Sequence, residues 1–200
     1  MYRVGVTGGP GSGKSTFCKL FAECTPKSEI ISVDKIMYAK MREYGSDFEK
    51  IFGEPPRYDK EGDLDLDYLT MYDGRVSKAL EIIEAPIDKS VCQKIEELAK
   101  LNKKFTVIDS SILPILKTWQ ECEKRIIVFA DAKLRIDRLV KRETKGFSNE
   151  YYRNLVNGVT VNPNDIGHDV LIQNDGEIGD FSKAVKEISE NIQKEIELYG

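Results

Sequence analysis

Eight consecutive residues, Gly8-Gly9-Pro10-Gly11-Ser12-Gly13-Lys14-Ser15, hold the densest chemistry in the chain. Glycines at this spacing let successive backbone N–H groups turn toward one anion. The lysine adds a mobile charge, and the terminal hydroxyl can ligate a divalent cation. The pattern G-x-x-x-x-G-K-[ST] describes a cradle for nucleotide phosphates, with Lys14 reaching the β/γ oxygens and Ser15 on Mg²⁺. Gly9, Gly11, Ser12, Gly13 and Thr16 are the further expected phosphate contacts.

Two carboxylates stand where such a cradle needs them. Asp34 follows the apolar run Ile30-Ile31-Ser32-Val33 and precedes a helical pattern. It is placed to orient or deprotonate an acceptor hydroxyl, or to cap that helix, and position alone leaves both open. Asp109 closes Phe105-Thr106-Val107-Ile108, as a carboxylate presented to a Mg²⁺ shell does, with capping of a turn at Ser110-Ser111 as the alternative. Residues 133–145 form a basic helix with Leu134, Ile136 and Leu139 apolar and Gly146 as a stop, restarting at the N-cap Ser148 before 149–157. Arg138 and Arg142, four residues apart, could reach triphosphate oxygens from a closing lid, or could simply line a solvated face.

The elements that must position these residues read as alternating strands and helices. Strands are expected at 2–7, 29–33, 105–108, 125–129 and 169–172, and the phosphate loop falls between the first strand and a helix carrying Phe17, Leu20 and Phe21. Such alternation implies a parallel sheet covered on both faces, with ligands beyond the strands' carboxyl ends. That rim collects the loop, Asp34, Asp109, the region of Asp131, and Gln173-Asn174-Asp175-Gly176. Residues 34–104 are too many for one crossover and hold an insertion, with helices expected at 35–44, 47–52, 65–72, 75–84 and 86–102. By analogy of fold, such an insertion holds a phosphoryl acceptor.

Two hundred residues with 40% apolar content suffice for one domain. A net charge of −4 without a long basic run speaks against nucleic acid as partner. The chain enters a strand at once, with no leader or spanning apolar run, and is expected in the cytoplasm. Cys18, Cys24, Cys92 and Cys122 have no zinc-ligand spacing with each other or with His168, and free thiols are expected.

In its order of motifs the chain resembles the dephospho-CoA kinase family. Residues 4–16 look like the family's I-G-L-T-G-G-I-G-S-G-K-S-T, and Val33-Asp34-Lys35-Ile36 looks like D-A-D-x-I. Tyr44-Gly45-Ser46, Ile51-Phe52-Gly53 and Gly62-Asp63-Leu64-Asp65 follow P-G-S, H-F-G and D-G-x-L-D-R. Val107-Ile108-Asp109 matches the start of D-x-P-L-L-F-E, Arg153 with Asn157 resembles R-I-x-x-Q, and residues 169–176 resemble A-D-V-V-I-D-N-S-G. The resemblance implies a P-loop NTPase-type α/β fold of five parallel strands, with a helical acceptor-binding insertion and a helical lid. It implies transfer of the ATP γ-phosphate to the ribose 3′-hydroxyl of dephospho-CoA with Mg²⁺. It further implies Asp34 at the acceptor hydroxyl, Arg142 as the lid arginine on the transferring phosphate, and Asn174 to Gly176 beside the adenine.

The expected organisation is one domain over 1–200, with a core at 1–34 and 104–200, an acceptor insertion at about 35–103 and a lid at about 133–157. Departures from the family pattern gather on the acceptor side. Ser32 replaces the first Asp of D-A-D, Leu66 the Arg of L-D-R, and Ala85 the His of the H-P-L-I turn, while Ser110-Ser111-Ile112-Leu113 stands for P-L-L-F-E. Loss of an arginine facing an anion removes about 1.5–3 kcal/mol unless a cation such as Arg57 or Arg75 substitutes. A nucleoside or nucleoside-monophosphate kinase, and a nucleotide sensor without transfer activity, are the alternatives.

Overall fold

The computed structural model describes residues 1–55, 57–58, 76–142, 148–159 and 161–199. Five strands, β1 (Tyr2–Thr7), β2 (Ser28–Ser32), β3 (Phe105–Asp109), β4 (Lys124–Phe129) and β5 (Val170–Gln173), form one parallel sheet in the order β2-β3-β1-β4-β5. Around it lie α1 (Lys14–Cys24), α2 (Val33–Glu43), α3 (Gly45–Phe52), α4 (Val76–Lys100), α5 (Lys117–Gln120), α6 (Ala132–Lys141), α7 (Asn149–Gly158) and α8 (Ile178–Tyr199). Each strand falls within one residue of its expected position at either end.

The two-residue period of a strand sends neighbouring side chains to opposite faces of the sheet. Val107 and Ile126 enter one core, with Val4, Val6, Phe17, Phe21, Phe181 and Val185, which seats α1 and α8. Ile108 and Ile127 enter the other, with Val33, Met37, Phe48, Ile83, Ile87 and Trp119, which seats α2, α3, α4 and α5. The strands are apolar throughout because both faces are covered.

Several expected helices differ in extent. The segments 75–84 and 86–102 are one helix, α4, that runs through Pro86. Proline forfeits a helix hydrogen bond at a cost of about 3 kcal/mol. Ile83, Ile87 and Val91 are fully buried on one face across that point, and each contributes roughly 1.5–3 kcal/mol. Tertiary burial therefore outweighs the break, and the Ser90 hydroxyl bonds the Pro86 carbonyl at 3.0 Å. The basic helix expected over 133–145 is shorter, ending as α6 at Lys141, and its buried residue is Arg135 rather than Leu134, Ile136 or Leu139, which are only partly covered. The helix over 35–44 begins earlier, at Val33. The expected helix at 65–72 and the stop at Gly146 lie outside the described residues. Among the described residues, no helix is long and apolar enough to cross a membrane.

Truncating Ile87 to Ala removes the side chain that holds α4 to the sheet beside the proline. Denaturant unfolding should show a loss of about 2–5 kcal/mol; a loss below about 1 kcal/mol would mean that α4 is seated elsewhere.

Candidate active site

Parallel register gathers the site. Val6 of β1 and Ser32 of β2 both stand beside Asp109 of β3. The loop leaving β1, the Asp109 carboxylate and the start of α2 with Asp34 thus share one rim. The first amides of a helix have no partner within it. Those of Lys14, Ser15 and Thr16, opening α1, are available to an anion and add the helix's positive end.

The loop's carbonyls are engaged from outside. Arg135 Nε donates to Pro10 O at 2.9 Å, Arg138 Nη1 to Gly11 O and Ser12 O at 3.4 and 3.5 Å, and Asn174 Nδ2 to Ser12 O at 2.8 Å. Ser12 N closes a turn on Gly9 O at 3.1 Å. Gly13 adopts φ 105°, and a Cβ there would lie 2.2 Å from Asn174 Nδ2. Gly11, at φ 77°, passes so close to Arg135 that a Cβ would lie 2.6 Å from its carbonyl oxygen. Both positions require glycine for backbone conformation and for close approach.

Asp109 Oδ2 accepts from the Ser15 hydroxyl at 3.4 Å, whereas its buried Oδ1 has no hydrogen-bond partner. Burial pushes the Asp109 carboxyl above its usual range; the Lys14 charge and the Ser15 hydroxyl pull it down, and Asp34 pushes it further up. A buried carboxylate oxygen left unpaired, next to a hydroxyl, is a hard-oxygen set that suits Mg²⁺. Ser15 and Asp109 therefore fit the ion. Asp34 lies in the first turn of α2, and Ser32 occupies the N-cap position. Its carboxylate does not cap that helix; Oδ1 accepts from Ser110 Oγ at 2.6 Å.

The remaining expected residues divide. Arg138 is brought onto the loop and also donates to Asn174 O at 2.8 Å. Asn174 is buried, while Gly176 and Thr16 are exposed at the same rim. Arg142 is not brought to the loop: it ends α6 and folds its Nε back onto Arg138 O at 3.2 Å. Arg153 and Asn157 are exposed on α7, Ala85 is exposed within α4, and Arg57 pairs with Glu54 at 3.4 Å. Leu66 and Arg75 lie outside the described residues.

Arg135 was not among the expected site residues. It is 5% exposed, binds Pro10 on one side and, on the other, Val156 O of α7 at 3.1 Å and Val159 O, just past that helix, at 3.3 Å. Burial lowers its affinity for the proton. Its only signal in the sequence is its phase, four residues before Leu139 on the inward face of α6.

An acid with a raised folded-state pKa costs the fold stability once it ionises, so that contribution falls as pH rises through and above the ordinary aspartate range. The metal-free Asp109→Asn variant should therefore melt above the metal-free parent at neutral pH, with the gap closing under acid conditions where Asp109 is protonated. A variant that melts lower at neutral pH would show instead that ionised Asp109 stabilises the empty site.

The chain is similar to several known proteins. A dephospho-CoA kinase of Aquifex aeolicus is 26% identical over 201 residues, covering 98% of this chain and 100% of its own. Among solved structures, a dephospho-CoA kinase from Campylobacter jejuni superposes with a TM-score of 0.59 at 20% identity, covering 96% of this chain and 97% of its own. A shikimate kinase from Bacteroides thetaiotaomicron gives a TM-score of 0.53 at 13% identity, over 96% of this chain and 98% of its own, a likeness of fold. The model of the dephospho-CoA kinase family matches residues 2–180, and the chain belongs to that family.

Proposed function

We propose that the protein transfers the γ-phosphoryl group of MgATP to the ribose 3′-hydroxyl of dephospho-CoA, giving CoA and ADP. The observation that carries this reading is the meeting of Lys14, Asp109 and Asp34 at the carboxyl ends of β1, β3 and β2, in a chain of this family.

Positioning and charge neutralisation supply most of the catalysis. The amides of the loop and Lys14 hold the β- and γ-phosphates. Ser15 and Asp109 would hold Mg²⁺, which when bound neutralises phosphate charge. Asp34 aligns the acceptor hydroxyl and takes its proton as the new oxygen–phosphorus bond forms and the bond to the leaving ADP breaks. Arg138, which already bonds the loop carbonyls, reaches the triphosphate oxygens, and Asn174 to Gly176 border the adenine. Arg142 meets the transferring phosphate once it leaves the Arg138 carbonyl, its partner here at 3.2 Å. In this reading 1–200 is one kinase domain, 35–103 the acceptor lobe and 133–157 the lid. It acts in the cytoplasm on a small molecule.

ADP release should be followed with dephospho-CoA, with a panel of nucleosides and nucleoside monophosphates, and without acceptor. Turnover is expected with dephospho-CoA well above the rest; a nucleotide acceptor that outpaces it, or no acceptor-dependent turnover, contradicts the proposal. Asp34→Asn should lower kcat by about 10²–10⁴-fold with ATP affinity retained, and an equal loss of both would make Asp34 structural.

A further inference from the structure

Ser110 is fully buried immediately beyond β3. Its amide extends the sheet by donating to Val6 O at 3.2 Å, which fixes its backbone against the strand that leads into the phosphate loop. Two groups meet its hydroxyl: the Ile112 amide at 3.2 Å and Asp34 Oδ1 at 2.6 Å. An amide can only donate, so Oγ accepts from Ile112 and its single proton must go to Asp34. The direction of both bonds is thereby determined. The contact to Asp34 has the length of a charge-assisted O–H···O⁻ bond.

We propose that Ser110 is a positioning residue for phosphoryl transfer, holding Asp34 so that Oδ2 is the oxygen that meets the acceptor hydroxyl. The terminal torsion of an aspartate is broad, and the backbone of α2 places the carboxylate without setting its plane. The Ser110 bond sets it. With Oδ1 engaged, Oδ2 receives the acceptor's proton as the oxygen–γ-phosphorus bond forms and the electron pair of the broken bond leaves on ADP. Because Asp109 and Ser110 are adjacent, one strand end orders both carboxylates, the one beside Ser15 and the one beside the acceptor. Ser110 as a mere turn cap for Ile112 would leave Asp34 unaffected.

This inference rests on Asp34 acting at the acceptor hydroxyl, and a mutant cycle separates the two claims. Ser110→Ala, Asp34→Asn and the double variant are assayed with MgATP and dephospho-CoA. Each kcat is expressed per ATP-binding site, counted by titration with a non-hydrolysable ATP analogue, so that unfolded protein does not imitate a slow enzyme. Ser110→Ala should lower kcat about tenfold while the KM for ATP stays within about twofold, and should add nothing in the Asp34→Asn background. If Asp34→Asn is slow and Ser110→Ala keeps the parent kcat, or if the two losses multiply, the positioning role of Ser110 is wrong and the reading of Asp34 stands. If Asp34→Asn keeps the parent kcat, the reading of Asp34 fails and the role of Ser110 fails with it.

Discussion

The phosphate loop is held by its carbonyls, and the rest of the site depends on that. A peptide group that gives its oxygen to a donor outside the loop is turned, and its neighbours' N–H groups are left for the inside. Arg135 and Arg138 of α6, and Asn174 just beyond β5, take the oxygens of Pro10, Gly11 and Ser12 from far along the chain. Hydrogen bonds to charged donors contribute about 1.5–3 kcal/mol each. Burying the Arg135 guanidinium opposes this by several kcal/mol. The last carbonyls of α7, Val156 O and the capping Val159 O, offset part of that cost, since a cation is favoured at a helix's negative end. One side chain therefore joins the loop to the segment expected to close over it.

The sheet places the reacting groups with the same economy. Because β1, β2 and β3 are parallel and in register, three separate stretches of sequence end at one rim. The cores on the two faces fix the helices that leave those ends. Asp109 sits buried with an unpaired oxygen, an arrangement that is unfavourable in isolation and that a cation beside Ser15 would relieve. Asp34 sits nearby with one oxygen already committed. The two carboxylates thus occupy different environments a short way apart on one rim.

Much of this could be read from the residues. The loop motif, the five strands and the rim that collects Asp34 and Asp109 were all accessible, because apolar strand runs and glycine spacing are local signals. The continuity of α4 through Pro86 was not, since local propensity argues for a break and only the burial of Ile83, Ile87 and Val91 overrides it. Arg135 was hidden for a related reason: arginine on a charged helix reads as a solvated face, and its burial depends on Pro10 and α7 arriving from elsewhere. Ser110 was readable as a turn residue, yet its partner lies on another strand end. Long-range hydrogen bonds between single residues leave no periodicity to detect. Arg142, expected at the phosphates, rests on its own helix, because the contacts within α6 are the ones that need no ligand.

The most direct measurement is a backbone-amide NMR titration of the protein with MgADP. If the engaged carbonyls turn the loop's N–H groups inward, the amides of Gly11, Gly13, Lys14, Ser15 and Thr16 should show the largest shifts, moving as hydrogen bonds to phosphate form. Saturable binding that leaves those amides unmoved, with the large shifts elsewhere, would contradict the placement of the nucleotide site.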